Sequence, residues 1–347
     1  GAMADGDHQG HGPQVEGIEQ LLGTDQLTIR GVDILTEGLI LDTYEDRGFA
    51  PYWTSTDKVD ELLTLLNGAA DHGLNPSDYN VDVLNQVLAL RQQQPSAQME
   101  AEVDILLTES LFRYGYHRRF GKVKGSELDP DINFRRQSFQ QQAPSKTLEQ
   151  ALESSSLTDF IEMVAPIGPV YQQLQTKMKL YREIAGKGGW PGVPEGPTLR
   201  PGDNDPRVAL IRKRLAATGL LGAGTDQDSP VYDAEVEEAV KAFQTRYHLD
   251  ADGVAGKQTF AAMNIPVERR VDQIRLSLER LRWVKEEKVD TMVVVNIAGF
   301  RAFFLNGGEL EWETRVMVGK NYRKTPIFRG DIAYLEFKDF VLLLKVD

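Results

Sequence analysis

PGDNDPRVALIRKRLAATGLL (201–221) and YDAEVEEAVKAFQTRYHLDADGVAGKQTFAAM (232–263) are the stretches that decide how the second half of the chain folds. Asp205-Pro206 is a good helix start, with proline in the first turn, and Val208, Ile211 and Leu215 then recur at helical spacing. Val236, Ala239, Val240 and Phe243 repeat that spacing and predict a second helix. Asp252-Gly253 marks a tight turn, and Gly256 opens a third short helix carrying Phe260 and Met263. The expectation is three short helices around one small core.

The run G-D-x-D-P-R-V, then A-V-x-x-F-Q, then L-x-x-D-G-x-x-G-x-x-T resembles the peptidoglycan-binding module attached to many bacterial cell-wall enzymes. Phe243-Gln244, Asp252-Gly253, Gly256 and Thr259 stand where that pattern places them. The motif records mainly a fold, with Phe243 as core and the glycines as turn residues, so binding is implied by the resemblance and not by an evident chemical site. The implied surface is a shallow groove near Gln244, Tyr247, Asp252 and Thr259, suited to a sugar or a stem peptide.

Working outward, 347 residues are enough for two or three domains with sizeable cores. A hydrophobic fraction of 41% and a charged fraction of 26% are ordinary for a soluble protein. The net charge of −13 argues against a nucleic-acid partner. No apolar stretch approaches the length of a membrane span. Cysteine is absent, which removes disulfides, thiolate metal sites and a cysteine nucleophile together. The five histidines (His8, His11, His72, His117, His248) are scattered, and the expectation is no metal site and no cofactor. The start, Gly1-Ala2-Met3-Ala4, looks like the remnant of a removed tag, so an export signal is expected to have been lost with it.

Residues 1–15 read as a tag remnant and disordered start, and 16–187 as a mainly helical domain. Val59, Leu62, Leu63 and Leu66 form one apolar stripe. Gly73-Leu74-Asn75-Pro76 is a stop and restart, with Ser77 or Asp78 available as a cap. Val103 to Tyr114 reads as a further helix, and 154–185 as one or two helices interrupted near Pro166 and Pro169. Tyr44 to Trp53 (YEDRGFAPYW), Gly73 to Tyr79 (GLNPSDY) and His117 to Val123 (HRRFGKV) resemble the helical scaffold of long Gram-negative L,D-transpeptidases. That family places a peptidoglycan-binding module between this scaffold and a YkuD-type catalytic domain. Gly188-Gly189-Trp190-Pro191 with Pro194, Pro197 and Pro201 fits its linker, and proline at this density predicts a stiff, extended spacer over 188–200.

Two features of the scaffold have competing readings. Arg113, His117, Arg118, Arg119, Lys122 and Lys124 would suit an anionic wall polymer, but a helix face neutralising nearby carboxylates is the favoured reading. Glu109-Ser110 is a candidate acid for sugar cleavage, because lytic transglycosylases use a helical Glu-Ser pair. No second motif supports it, and a surface or capping role is favoured.

The module spans 201–266 and is followed by a connecting helix at 267–288, with Val271, Ile274, Leu278 and Leu281 on one side. The pattern then changes to strands: Met292 to Ile297, Phe300 to Leu305 and Leu310 to Val318. Val294 to Phe300, Arg315 to Lys320 and Tyr322 to Phe328 resemble the opening strands of the YkuD-type domain, so 289–347 is expected to be an incomplete copy of it. In that family a cysteine thiolate forms a thioester with a stem peptide, with histidine as base. Here there is no cysteine, no histidine after His248, and from about Lys338 the tail departs from the family's pattern. A truncated or frameshifted product and a deliberate foreign tail both suit that ending.

The fold class expected is therefore mainly α with a C-terminal β portion: helical scaffold, three-helix peptidoglycan-binding module and partial YkuD-type β domain. The resemblance implies a periplasmic, cell-envelope protein of peptidoglycan remodelling, inactive by itself and acting by binding or scaffolding. A pure scaffold protein and a glycosidase acting through Glu109 are the alternatives. Expected partners are glycan strands or stem peptides, other wall-synthesis proteins, and a second copy through the C-terminal strands, where Phe340 to Val346 would act as an added strand or an apolar plug across a symmetric dimer.

Overall fold

The computed structural model describes residues 12–24, 27–34, 37–123, 144–165, 167–222, 224–283, 291–297, 299–307, 309–320, 332–338 and 341–346; for residues 37, 144, 145, 333–338 and 341–346 only the backbone is described. The chain divides into two compact units. One comprises Gly1–Gln172, Ser277–Glu286 and Pro326–Asp347, the other Gln173–Leu276 and Glu287–Thr325. Helices dominate the described residues, with a small three-stranded sheet toward the C-terminus.

In the first unit the helices are α1 (Gly12–Leu22), α2 (Glu37–Glu45), α3 (Thr56–Asn67), α4 (Val81–Gln93), α5 (Ala97–Phe120), α6 (Pro144–Glu153) and α7 (Leu157–Val164). A two-residue antiparallel ladder, β1 (Thr28–Ile29) with β2 (Val32–Asp33), lies between α1 and α2 in sequence. The stripe read from the sequence holds: Val59, Leu62 and Leu66 of α3 are buried. The stop and restart after α3 is there too, but its cap is Asn75, whose side chain accepts from the Ser77 amide. Asn75 competes better than Ser77 or Asp78 because it alone precedes Pro76, the first residue of the turn.

The organising element of this unit is α5, longer at both ends than Val103 to Tyr114. Ser96 caps it, accepting from the Met99 amide at 3.1 Å, and it runs to Phe120. Val103, Ile105, Leu106 and Leu107 are each at most 1% exposed, on more than one face, so the helix threads the core instead of lying on it. Each such side chain contributes roughly 1.5–3 kcal/mol on burial. The polar residues on α5 are matched internally. Asp104 accepts from Tyr44 Oη (2.5 Å) and from the backbone amides of Tyr52 and Trp53 (3.0 Å each). Trp53 Nε1 also donates to Thr108 Oγ1 at 3.0 Å. The Tyr44-to-Trp53 segment is thus moored to α5 by one buried carboxylate. Burial raises that carboxyl's pKa, against the pull of the hydrogen bonds from Tyr44, Tyr52 and Trp53.

The second unit contains most of α8 (Pro169–Gly186), then α9 (Pro206–Ala217), α10 (Ala234–Arg246) and α11 (Lys257–Met263), and the first turns of α12 (Val267–Trp283). Asp205 caps α9 with Pro206 next and Gly256 precedes α11, as the sequence predicts, and Asp233 caps α10, accepting from the Val236 amide. Val208, Ile211, Leu215, Val236, Val240, Phe243 and Met263 form a fully buried core. The segment at 188–200, expected to be a stiff, extended spacer, packs against the helices of this unit. Val193 (2%) and Leu199 (3%) belong to that core, and Leu199 and Ala255 exchange backbone hydrogen bonds. Its apolar side chains have a helical core beside them to fill, and their burial is favoured over exposure to solvent.

The same unit holds an antiparallel sheet of β3 (Thr291–Asn296), β4 (Arg301–Asn306) and β5 (Glu309–Arg315), in that order. Phe304 and Trp312 stack across β4 and β5 with centroids 5.6 Å apart. In the first unit, β6 (Ile332–Lys338) pairs antiparallel with β7 (Val341–Val346). The tail expected to serve as an added strand or apolar plug forms a strand over Val341–Val346 and pairs with β6 of the same chain. The side chains of that tail, and Phe340 itself, lie outside the described residues.

Candidate functional site

The turn after α10 is built around one amide side chain. Gln244, 2% exposed, points Nε2 at Asp252 Oδ1 (3.0 Å), Val254 O (2.9 Å) and Thr259 Oγ1 (3.1 Å), while its Oε1 accepts from the Gly253 amide (2.9 Å). Tyr232 Oη donates to Gly253 O at 2.6 Å. Gly253 sits at φ +74, and a Cβ there would meet Glu237 Cγ at 2.8 Å, so glycine is required twice over. Asp252 stays exposed, and the Val254 amide followed by Gln244 holds its carboxyl below the usual range. Of the four residues read from the sequence, Gln244, Asp252 and Thr259 meet in one network. Gln244 and Thr259 (4%) are interior struts, so the surface open to a ligand is the Asp252 turn they support. Tyr247 stands apart from this network, half-buried one turn beyond Phe243 with ring centroids 4.5 Å apart.

Tyr247 belongs to a second cluster that the sequence did not point out. Arg214 of α9 is 0% exposed, its Nε donating to Met263 O at 3.0 Å. Its guanidinium carbon lies 3.6 Å from the centroid of Trp190 and 5.3 Å from that of Phe243. Arg270 lies 4.3 Å over Tyr247, and the Tyr247 and Tyr181 hydroxyls are 3.4 Å apart. Burial opposes ionisation of Tyr247, but the Tyr181 hydroxyl, Arg214 and Arg270 outweigh it and hold the phenol below the tyrosine range. Burial, with Arg270 adding to it, lowers the Arg214 pKa. Arginines that face a core are indistinguishable by spacing from surface arginines. The tryptophan within Gly188-Gly189-Trp190-Pro191 was the one available signal.

The scaffold candidates resolve differently. Glu109 is 0% exposed and ion-paired with Arg113 on the next turn, so it cannot reach a glycosidic oxygen, and the glycosidase reading through Glu109 is set aside. Ser110 Oγ donates to Leu106 O (2.7 Å) and accepts from Asn80 (3.2 Å), a packing role. The basic cluster does neutralise local groups: Arg113 pairs with Glu109, Lys122 with Asp78 (2.6 Å), and the buried Arg118 with Glu162 (3.3 Å). His117 Nδ1 bonds Tyr79 Oη at 2.9 Å, Arg119 lies over Phe120, and Lys124 falls outside the described residues. Among the described residues no group of three His, Cys, Asp or Glu is placed to hold a metal, and no helix is long and apolar enough to cross a membrane.

Two family models match parts of this chain. A family model described as a scaffold domain matches residues 38–178, and one described as a peptidoglycan binding domain matches 204–263. The N-acetylmuramoyl-L-alanine amidase CwlM of Mycobacterium tuberculosis is similar, 34% identical over 76 residues, which is 20% of this chain and 19% of the amidase. The chain thus matches less than a quarter of that relative's length, a likeness confined to a part of each. A scaffold domain followed by a peptidoglycan-binding domain places the chain among proteins of cell-wall binding or remodelling.

Proposed function

We propose that this chain is the wall-engaging portion of a periplasmic peptidoglycan-remodelling enzyme of the L,D-transpeptidase type, and that these residues bind and position the wall without performing the acyl transfer. The observation that carries the reading is the order of the two domains, scaffold then binding module, which is the order such enzymes use ahead of a catalytic domain. The chemistry is limited by the sequence: with no cysteine in the 347 residues, no thioester can form on them. The strands from β3 onward fit the opening of a YkuD-type domain only by the motifs quoted above. Binding is assigned to the exposed Asp252 turn and to Tyr247, with Gln244 and Thr259 holding the turn from beneath.

Co-sedimentation with purified sacculi tests the binding. The chain should pellet with them at micromolar concentration, and Asp252→Ala combined with Tyr247→Ala should shift it toward the supernatant. A chain that stays in the supernatant at every sacculus concentration overturns the reading. Intact-mass measurement after exposure to a carbapenem tests the chemistry, and the unmodified mass is expected.

A further inference from the structure

Beside the exposed Asp252 turn stands an exposed cation, Arg200. Leu199 and Ala255 form an antiparallel bridge, the Leu199 amide donating to Ala255 O at 3.0 Å and the Ala255 amide to Leu199 O at 2.9 Å. The next facing positions along that bridge are Arg200 and Val254. Val254 is the residue over which Asp252 folds, its amide donating to Asp252 Oδ1 at 2.9 Å. Arg200 therefore lies next to the Asp252 carboxylate. Its charge helps to lower that carboxyl's pKa, behind the bonds from the Val254 amide and Gln244.

The two charges do not close on each other. Elsewhere in the module unlike charges meet as ion pairs: Lys213 with Asp228 at 3.1 Å, Arg207 with Asp205 at 3.2 Å, and Lys241 with Glu237 at 3.3 Å. Among the described residues the Arg200 side chain has no ion pair or hydrogen bond, and nearby Asp203 accepts from the Arg200 backbone amide at 2.8 Å instead. The carboxylate, for its part, is held in one orientation. Asp252 Oδ1 takes both the Val254 amide and Gln244 Nε2 (3.0 Å), and Gln244 is anchored on the buried Thr259. An anion fixed in advance loses little freedom when a ligand arrives.

Unlike charges standing side by side in water fit a ligand that carries the same two charges in reverse. A lone carboxylate drawn to Arg200 is repelled by Asp252, and a lone ammonium drawn to Asp252 is repelled by Arg200. An ammonium and a carboxylate on one carbon satisfy both, the first donating to Asp252 and the second accepting from the guanidinium fork. We infer that Arg200 and Asp252 recognise a zwitterionic amino-acid head, which in the wall is the free end of a diamino-acid residue held in a stem peptide by its other end. This rests on the wall-binding reading above and adds to it the chemical group recognised.

Isothermal titration of the full chain tests it with disaccharide-tripeptides that differ only at the third residue. That residue is meso-diaminopimelate, meso-diaminopimelate with its free carboxylate amidated, or lysine, which keeps the ammonium alone. The first should bind at least about tenfold tighter than the other two, the worth of one charge-assisted contact. Arg200→Gln should abolish that preference. Asp252→Asn keeps the Oδ1 acceptor for Val254 and Gln244, so the turn is preserved, and it should weaken the diaminopimelate form at least about tenfold. Free meso-diaminopimelate separates the sources: binding as tight as that of its tripeptide would overturn the wall as the origin of the head. If the chain pellets with sacculi but the three tripeptides bind alike or not at all, or the preference survives Arg200→Gln, the zwitterion site is overturned while wall binding stands. If sacculi are not bound either, both fall.

Discussion

Gln244 Nε2 and Thr259 Oγ1 stand 3.1 Å apart inside the binding module, tying α10 to α11 across the turn that carries Asp252. The same amide accepts from the Gly253 backbone, so one side chain closes the turn from both ends.

Replacing Gln244 by alanine leaves the Gly253 amide and the Thr259 hydroxyl without their buried partner. The expected loss is roughly 2–3 kcal/mol, the cost of stranded interior polar groups. Urea unfolding followed by circular dichroism measures it. A change under half a kcal/mol would mean that water or the backbone takes over the bonds, and that Gln244 is not the strut described. The conservative Gln244→Glu variant keeps the acceptor but loses the donor toward Asp252, and is expected to be less stable at neutral pH than in acid.

How much of this was open to reading is a question of range. The cap at Asp205, the three helices and the Asp252-Gly253 turn are local matters, decided by residues within a few positions of one another. Gln244 was legible as a motif position, but its burial was not, since that depends on Thr259, 15 residues on. The Trp190–Arg214 contact joins a proline-rich segment to a helix, and nothing in either stretch names the other. Glu109 was misread as accessible for a related reason. Arg113 lies one turn away, a spacing visible in the sequence, but α5 is covered by α3, α4 and α7, which spacing does not reveal. The 188–200 segment shows the limit of composition. Proline content describes stiffness, and says nothing about whether a core lies within reach.

That segment gives the second prediction. Asn264 clamps Val193 from both sides, with Oδ1 accepting from the Val193 amide at 2.7 Å and Nδ2 donating to its carbonyl at 2.8 Å. In Asn264→Ala the Val193 amide should exchange its hydrogen at least tenfold faster in deuterium exchange followed by NMR. The Leu199 amide, held separately by Ala255 O at 3.0 Å, should change little. Uniform acceleration of both would show that the segment detaches as a whole and that Leu199 provides no independent anchor.

The last prediction concerns acid. His117 shares a 2.9 Å hydrogen bond with Tyr79, and burial first, then Arg113 and Lys122, lower its pKa to about 4. An unfolded histidine titrates near 6.5. Between those values the unfolded chain takes up a proton that the folded one refuses, so stability is fully present above about 6.5 and is lost as pH falls toward 4. His72 acts in the same direction, its pKa lowered to about 2 by burial, Arg118 and Arg282. His117→Asn keeps an acceptor for the Tyr79 hydroxyl and removes one of the two titrations, leaving that of His72 in both proteins. The fall in melting temperature between pH 7 and pH 4.5 should therefore be shallower in the variant than in the parent. Equal slopes would mean that His117 is open enough to protonate in place, and that the pocket between Tyr79 and Arg113 does not exclude the charge.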